Sequence, residues 1–332
     1  MDNRDFNRRE FLRLLGVSSL CFTLPLAGGC DEQTGKENPG DAAGNTVALV
    51  KNGDDAYALS RAIELAGGLD FIAPGQSVLL KVALNSPNAF PATTSPFIVS
   101  ELIGLLKAAG AGDIYVGDKS PTWQDTMNCF EETGIYQAAV HAGAEIVVFD
   151  DTDMVPVKPE YTASWPLGFS MPDIFNRVDH IIALPTLRTH RIAGFTMGLK
   201  LFVGALPQAE RFSMHRSIDF LQKIAEIALC TDKIRLSVLD ARQGFNTEGP
   251  DSGTLVEPEI IITGSNLVAA DAVGLALLKT IGTTEDLTDI AVWDHPTIKR
   301  GVETYAPCLC AETLEIVSDG IENIEDIKKN LA

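Results

Sequence analysis

The chain has 332 residues, of which 45% are hydrophobic and 21% charged, a composition typical of folded globular proteins that excludes disorder as the main state. Its 26 lysine and arginine residues stand against 45 aspartate and glutamate residues, giving a formal net charge of −19. Because nucleic-acid affinity comes largely from basic residues that displace counterions, this charge argues against a nucleic-acid partner.

The first 29 residues have the order of a signal peptide: basic residues, a short apolar run, then small residues. The apolar run over residues 14–26 contains small polar residues and is shorter than the roughly 20 residues of a membrane-spanning helix, so a targeting segment is favoured over a permanent transmembrane helix. Arg8 and Arg9 open the stretch Arg-Arg-Glu-Phe-Leu-Arg, which resembles the twin-arginine consensus. The resemblance implies a twin-arginine signal peptide over 1–29, the twin-arginine export machinery as a partner, and folding before export to the periplasm or another extracytoplasmic compartment.

The apolar run ends in Leu-Ala-Gly-Gly-Cys, which resembles a lipobox with Cys30 as the lipidated first residue of the mature protein. Ala27 stands where leucine is commonest, so a plain cleavage site after small residues remains an alternative. Residues 30–45 are rich in Gly, Asp, Asn and Glu without apolar periodicity, which predicts a flexible tether. Together these features predict a lipoprotein that is anchored to the membrane through Cys30.

From residue 46 to 332, short β-branched runs alternate with helical stretches, which predicts an α/β protein with a largely parallel sheet, or sheets, and flanking helices. Strands are predicted at 46–51, 77–82, 113–117, 145–149, 180–184, 234–239, 259–263 and 313–317. The proline-rich stretch 150–173 lacks a clear period. It is interpreted either as a soft boundary between two α/β halves or as an elaborated loop in one domain.

Three helices have clear signals. One begins with Ser95 as its cap and Pro96 in its first turn, and it ends before Gly110. A second is predicted over 218–229 with Ile218 on its buried face. A third, over 268–281, is apolar nearly all round, which predicts a buried helix.

Polar residues gather where the predicted strands end, and α/β proteins usually build their sites in these loops. The candidates are Lys81, Asn85, Asp118, Arg188, Thr189, His190, Lys200, His215, Asp240 and Asp271. Lys81 lies inside an apolar strand, where a buried ammonium needs a partner or a shifted pKa. Asp118 and Asp240 could instead cap the helices that follow them, and Asp271 could complement the dipole at a helix start.

Several of these stretches, taken in order, resemble the family called domain of unknown function 362 over roughly residues 81–300. The stretches are 81–96, 116–118, 184–204, 238–241, 248–250 and 269–272. The resemblance implies an α/β fold and an association with iron–sulfur proteins, with no settled reaction. The sequence differs from the family pattern at three positions: Arg188 replaces a common lysine, Leu201 an asparagine, and Ser95 a frequent histidine.

The cysteines do not form the tight Cys-x-x-Cys series of a ferredoxin-type cluster, which argues against an intrinsic cluster. Cys308 and Cys310 are candidates for a soft metal or for reaction with oxidants, and inert packing is the alternative. The sequence identifies no particular cofactor.

The pattern predicts a pocket for a small anionic ligand. In an enzyme, His190 would act as general acid or base, and Lys81 and Lys200, with Arg188, would hold a carboxylate or phosphate. The remaining polar candidates are predicted to bind the ligand. Two alternatives stay open: an accessory or ligand-binding protein of an extracytoplasmic redox system, and a non-catalytic scaffold. A structural role for the cations, paired with Asp118 and Asp240, is the alternative for the cluster itself.

Overall fold

The computed structural model describes residues 44–160, 162–228 and 231–332. Its strands are, in chain order, β1 (Thr46–Val50), β2 (Val78–Val82), β3 (Ile114–Asp118), β4 (Glu145–Val148), β5 (Met154–Val157), β6 (Phe169–Pro172), β7 (His180–Leu184), β8 (Thr186–His190), β9 (Gly194–Thr196), β10 (Ile234–Phe245), β11 (Leu255–Val256), β12 (Ile260–Gly264) and β13 (Glu315–Asp319). Its helices are α1 (Asp55–Leu65), α2 (Pro96–Ala108), α3 (Thr126–Glu132), α4 (Ile135–Ala142), α5 (Ile174–Arg177), α6 (Gly198–Leu201), α7 (Gln208–His215), α8 (Phe220–Ala228), α9 (Leu267–Thr280), α10 (Glu285–Thr288), α11 (Pro296–Tyr305) and α12 (Ile324–Leu331).

The large sheet has the strand order β13-β1-β12-β10-β7-β2-β3-β4. β4, β3, β2, β7 and β10 run parallel to one another, and β12 is antiparallel to both of its neighbours, β10 and β1. β8 follows β7 after one residue and pairs in parallel with the second half of β10, while β9 pairs antiparallel with β8. The prediction of an α/β fold with a largely parallel sheet and flanking helices is confirmed.

All eight predicted strands are present, and seven of them agree with the structure within two residues at each end. The exception is β10, which continues from the predicted end at residue 239 to Phe245. β10 extends this far because its second half pairs with β8 and β11, and neither pairing is visible in the local pattern.

The sheet separates two hydrophobic cores, because successive side chains of a strand point to opposite faces. In β2, Leu79 packs in one core and Leu80 in the other. α9 packs in the first core and is buried along most of its length, as predicted, whereas α1, α2 and α4 cover the opposite face. Lys81, two residues after Leu79, shares its face, and the Lys81 ammonium lies 5.8 Å from the centre of the Phe149 ring.

The stretch 150–173 lies between strands of the same sheet, since β4 before it pairs with β3 and β7 after it pairs with β2. Within it, β5 and β6 form a separate two-stranded antiparallel sheet. Trp165 and Phe169, whose ring centres are 5.2 Å apart, anchor this hairpin in the first core. All described residues belong to one compact unit.

Two details of the helix predictions are wrong. Ile218 is exposed and precedes α8, which begins at Phe220. Ser95 does occupy the cap position of α2, but its hydroxyl makes no cap bond and instead accepts a hydrogen bond from Arg242 Nη2 at 3.0 Å. A tertiary contact therefore replaces the local cap.

None of the helices in the described ranges is long and apolar enough to cross a membrane. The predicted signal peptide, the lipidated Cys30 and the tether up to residue 43 lie outside the described residues.

Candidate functional site

A cleft of about 410 Å³ opens beyond the carboxyl ends of β2 and β3, beside the β8–β9 hairpin. Its ionisable lining residues are Asp118, Lys119, Arg188, His190, Arg191, Lys200, Arg211, His215 and Asp251. Five lysine and arginine side chains thus face two carboxylates, in a protein whose overall charge is −19. The cleft is therefore a positive site on an acidic molecule, and its position is the usual one for ligands of parallel α/β sheets.

A buried ion pair lies beneath the cleft. Lys81 is 0% exposed and donates to Asp118 Oδ1 at 2.6 Å and to the carbonyl oxygen of Val82 at 2.8 Å. The second carboxylate oxygen of Asp118 accepts from the backbone N–H of Leu84 at 2.8 Å. Burial lowers the pKa of the Lys81 ammonium, and the neighbouring Asp118 carboxylate opposes this effect. Asp118 therefore ties the ends of β2 and β3 together and does not cap a helix.

Gly204 packs directly on this pair, since a Cβ atom there would collide with Asp118 Oδ1 and contact Lys81 Nζ. The backbone of residue 204 can approach the carboxylate only because glycine has no side chain. This close approach closes the floor of the cleft over the Lys81–Asp118 pair.

Arg188 enters the cleft from β8 and is 3% exposed. Its Nη1 donates to Asn85 Oδ1 at 3.1 Å, to the carbonyl oxygen of Pro250 at 3.0 Å and to that of Ala92, while its buried Nε has no partner in the described residues. Burial lowers the pKa of Arg188 to about 10. No carboxylate of the described residues lies within 4.0 Å of the guanidinium, so its direct acceptors there are neutral oxygens, while the charges of Asp251 and Asp118 act on it from farther away.

Lys200 lies on the short helix α6 and has no hydrogen-bond or ion-pair partner among the described residues. Burial and, to a lesser extent, the positive charges of Arg188 and Arg211 together lower the pKa of Lys200 from 10.5 to about 7. At neutral pH this amine therefore exists in both its charged and its neutral form.

Asp271 holds the helix that carries Lys200. Its two carboxylate oxygens accept from the backbone N–H groups of Gly198 and Leu199, both at 2.8 Å. Burial raises the pKa of Asp271 to about 7, although both hydrogen bonds favour its charged form. Asp271 lies outside the cleft lining, and it complements the start of α6 and not the start of its own helix, α9.

His190 ends β8 and lines the cleft. Its Nδ1 accepts from the backbone N–H groups of Ile192 and Ala193, both at 3.1 Å. Because Nδ1 accepts both bonds, the proton of the neutral ring must lie on Nε2. Burial lowers the pKa of His190 well below its ordinary value, and the Lys200 charge adds to this. The ring is therefore suited to donating a hydrogen bond from Nε2, and its role as general acid or base stays a prediction.

Arg211 and His215 lie one turn apart on α7 and form the opposite wall. Arg211 Nη2 donates to the carbonyl oxygens of Gly204 at 2.8 Å and Lys119 at 3.2 Å, and its buried Nε has no partner in the described ranges. His215 Nδ1 lies 2.7 Å from the Arg211 carbonyl oxygen. Burial lowers the pKa of both side chains.

The loop after β10 closes the site from above. Asn85 Nδ2 donates to Asp251 Oδ1, and Asp251 lies 4.0 Å from the exposed Arg191. The Thr189 hydroxyl accepts from the backbone N–H of Gly249 at 3.1 Å, so Thr189 holds this loop and does not line the cleft.

Asp240 lies apart from the cleft in a second polar cluster. Its carboxylate accepts from Arg242 Nε at 2.9 Å and from Nη2 at 2.8 Å, and the same guanidinium reaches Asp55 and the Ser95 hydroxyl. The predictions that a strand ends at Asp240 and that a helix follows it are wrong, because β10 continues through it. We call Asp55, Ser95, Asp240 and Arg242 the Arg242 cluster.

Cys308 and Cys310 lie between α11 and β13, away from the cleft lining, and neither forms a disulfide within the described part of the chain. Within the described ranges, no group of three or more His, Cys, Asp or Glu side chains is arranged to hold a metal ion.

The structure thus brings together in one cleft, or directly beneath it, Lys81, Asn85, Asp118, Arg188, His190, Lys200 and His215. It does not bring Thr189, Asp240 or Asp271 into the lining. Sequence reasoning missed Arg211 and Asp251 as site residues. The spacing of Arg211 and His215, four residues apart on one helix, was the available signal.

Comparison with solved structures gives the lactate racemase apoprotein from Thermoanaerobacterium thermosaccharolyticum, with 14% identity, a TM-score of 0.42 and coverage of 68% of this chain. The matched region spans 56% of the length of that protein. No curated protein matches the chain. The profile of the family described as Domain of unknown function (DUF362) matches residues 78–276, which include β2, the cleft and most of α9. The chain belongs to the DUF362 family.

Proposed function

We propose that this protein binds a small organic anion in the cleft and that Lys200 exchanges a proton with it. One observation carries the proposal: Arg188, Lys200 and Arg211 share a cleft, and no carboxylate of the described residues pairs with any of them within 4.0 Å. A charge that is removed from water without a counter-charge is unfavourable by several kcal/mol. A bound carboxylate or phosphate would supply that counter-charge.

The unused donors of the cleft suit such a group. Arg188 Nε and Arg211 Nε are buried without a partner in the described residues. Lys200 lines the same cleft, and its ammonium makes no hydrogen bond or ion pair with a described residue. A planar guanidinium can give two parallel hydrogen bonds to a carboxylate or phosphate. The Lys81–Asp118 pair is already satisfied, so it supports the floor and is not a ligand contact.

The chemistry proposed for the cleft is proton transfer. A lysine whose pKa is about 7 is partly neutral at neutral pH, so Lys200 can take the proton of the ligand's acid group and then hold the resulting anion as an ammonium. His190, with its proton held on Nε2, would donate a hydrogen bond to the oxygen on which negative charge develops. This division reverses the simplest assignment from the sequence, in which the histidine moves the proton.

Isothermal titration of the protein with inorganic phosphate and with acetate tests the proposal. Lys200→Met should weaken binding of the better probe at least about tenfold, since it removes the cleft cation that has no partner among the described residues. Lys279→Met is the matched control, because Lys279 is a partly buried lysine on α9 that donates to the carbonyl oxygens of Thr288 and Ile290, away from the cleft. Equal binding by wild type and Lys200→Met would contradict the proposal.

Two further results separate the roles left open by the sequence. Binding without any chemical change of the bound molecule would assign the protein a ligand-binding or accessory role. Failure of both anions to bind, in a folded protein, would favour a non-catalytic scaffold.

We also propose that the chain is exported by the twin-arginine route and anchored through lipid on Cys30. The support is the sequence of the first 30 residues. Replacing Arg8 and Arg9 by Lys should leave the protein in the cytoplasm, because lysine lacks the planar guanidinium of arginine. Cys30→Ser should release an exported protein from the membrane, because it removes the residue that would carry the acyl chains needed for stable anchoring. Normal export of the double variant, or membrane retention of Cys30→Ser, would refute the respective part.

A further inference from the structure

Three large apolar side chains surround the mouth of the cleft and remain open to solvent. Trp123 is 77% exposed, Phe212 58% and Ile192 57%. They come from separate parts of the chain: the loop after β3, helix α7 and the turn between β8 and β9. The described residues contain nine exposed large apolar side chains, and three of them line this one cleft. Single exposed apolar residues are ordinary, but a group around a cavity marks a binding surface.

Charge and apolar surface are arranged by depth in this cleft. Arg188 and Arg211, at 3% and 8% exposed, lie deep, whereas Trp123 and Phe212 lie at the mouth. A molecule that enters would therefore meet cations with its inner end and apolar surface with its outer end. The cleft volume, about 410 Å³, falls within the range of small-molecule sites and exceeds what a bare inorganic ion fills.

We propose that the ligand is an amphipathic anion, whose carboxylate or phosphate contacts Arg188, Lys200 and Arg211 and whose aromatic or alkyl part packs against Trp123, Phe212 and Ile192. This proposal rests on the function proposed above and specifies its ligand class. Burial of the exposed rim against the ligand is favourable in proportion to the apolar area removed from water. The rim therefore provides affinity that an inorganic anion cannot use.

Matched pairs of probes test the apolar part alone. Phenyl phosphate should bind at least about tenfold more tightly than inorganic phosphate, and benzoate than acetate, because the members of each pair share their anionic group and one of them adds a ring that the rim can cover. Trp123→Ala and Phe212→Ala should each reduce the advantage of the ring several-fold and leave the dissociation constant of inorganic phosphate within about twofold. Both side chains are exposed, so neither change should prevent folding.

Leu167→Ala is the control variant, since Leu167 is 92% exposed and does not line the cleft. It should bind all four probes as the wild type does. A ring that adds no affinity to either anion, or an advantage that survives in both Trp123→Ala and Phe212→Ala, would overturn the ligand class and leave the anion site intact. Failure of every probe to bind would overturn the anion site itself.

Retention of the protein on phosphatidylglycerol vesicles, compared with phosphatidylcholine vesicles, tests whether the amphipathic anion is a membrane lipid or a soluble molecule. Retention on the former that falls in both Lys200→Met and Trp123→Ala would identify a lipid headgroup with its chains. Retention that is unchanged in these variants, together with tight binding of phenyl phosphate, would identify a soluble molecule.

Discussion

The Arg242 cluster and the cleft use the same kinds of residue next to the same parallel strands, yet they differ in how their charges are satisfied. The guanidinium of Arg242 contacts two carboxylates, Asp240 and Asp55, and the rings of Phe90 and Phe97 cover it at 5.3 and 4.9 Å. In the cleft, Arg188 has only neutral acceptors and Lys200 has no partner among the described residues. The completed cluster holds elements together, and the incomplete one is available to a ligand.

The comparison predicts that removing a paired cation lowers the free energy of unfolding, whereas removing an unpaired cation raises it. Lys81→Met, beneath the cleft, breaks a fully buried pair and leaves the Asp118 carboxylate without its counter-ion. We expect the free energy of unfolding to fall by about 3–5 kcal/mol, measured by denaturant titration. A loss below about 1 kcal/mol would mean that the pair is not closed from water.

Arg242→Met should have the next largest effect and lower the free energy of unfolding by about 2–4 kcal/mol. The Asp240 carboxylate would stay buried without its counter-ion, whereas Asp55 is partly solvated and would lose less. Asp240→Asn in the same chain should recover part of the loss, since it removes the stranded charge. Anion binding in the cleft should not change. An Arg242→Met variant that folds normally but has lost anion binding would show that the two regions are not independent.

Lys200→Met should stabilise the protein that has no ligand, by about 1–2 kcal/mol at pH 6, after allowance for partial solvation of the amine. The pKa of Lys200 is about 7 in the folded chain and 10.5 ordinarily, so the wild type gains stability as pH rises between these values, where only the unfolded chain keeps the proton. The variant lacks this gain. The difference between the two proteins should therefore shrink towards pH 10, and a difference independent of pH would contradict it.

His190 should give the smallest effect on stability. His190→Asn keeps an acceptor near the Nδ1 position for the N–H groups of Ile192 and Ala193, whereas His190→Ala removes it and should cost about 1 kcal/mol. The His190→Asn variant should bind phenyl phosphate about five- to tenfold more weakly than the wild type, since it lacks the Nε2–H donor of the histidine. Equal stability of His190→Asn and His190→Ala would argue against the hydrogen bonds from the N–H groups of Ile192 and Ala193 to His190 Nδ1.

Much of the sheet follows from local sequence, because its central strands are β-branched runs buried on both faces. β5, β6, β8 and β9 were not predicted, since prolines interrupt the first two and polar residues fill β8. These strands exist through pairing and through anchors such as Trp165, which a local pattern does not contain.

The cleft was partly predictable for a related reason. Lys81, Asp118 and Arg188 follow from the rule that parallel strands end at one edge of a sheet. The position of Asp240 was wrong because its partners, Arg242 and Asp55, are set by the length of β10 and by a helix 187 residues away from Arg242. Which charges are paired depends on tertiary contacts, so the sequence identified Lys81, Arg188 and Lys200 as candidates but missed Arg211 and Arg242 and did not show which cations are paired.

The titration of Lys200 tests the central claim most directly. NMR of protein labelled with ¹³C and ¹⁵N at lysine, with the Lys200 signal assigned from its loss in Lys200→Met, would follow the amine from pH 5 to 11 with and without phenyl phosphate. If Lys200 has no counter-charge in the empty cleft, its pKa should lie near 7 without ligand and should rise clearly when the anion binds, because the bound charge stabilises the ammonium. A Lys200 that titrates near its ordinary value of 10.5, unchanged by phenyl phosphate, would contradict it.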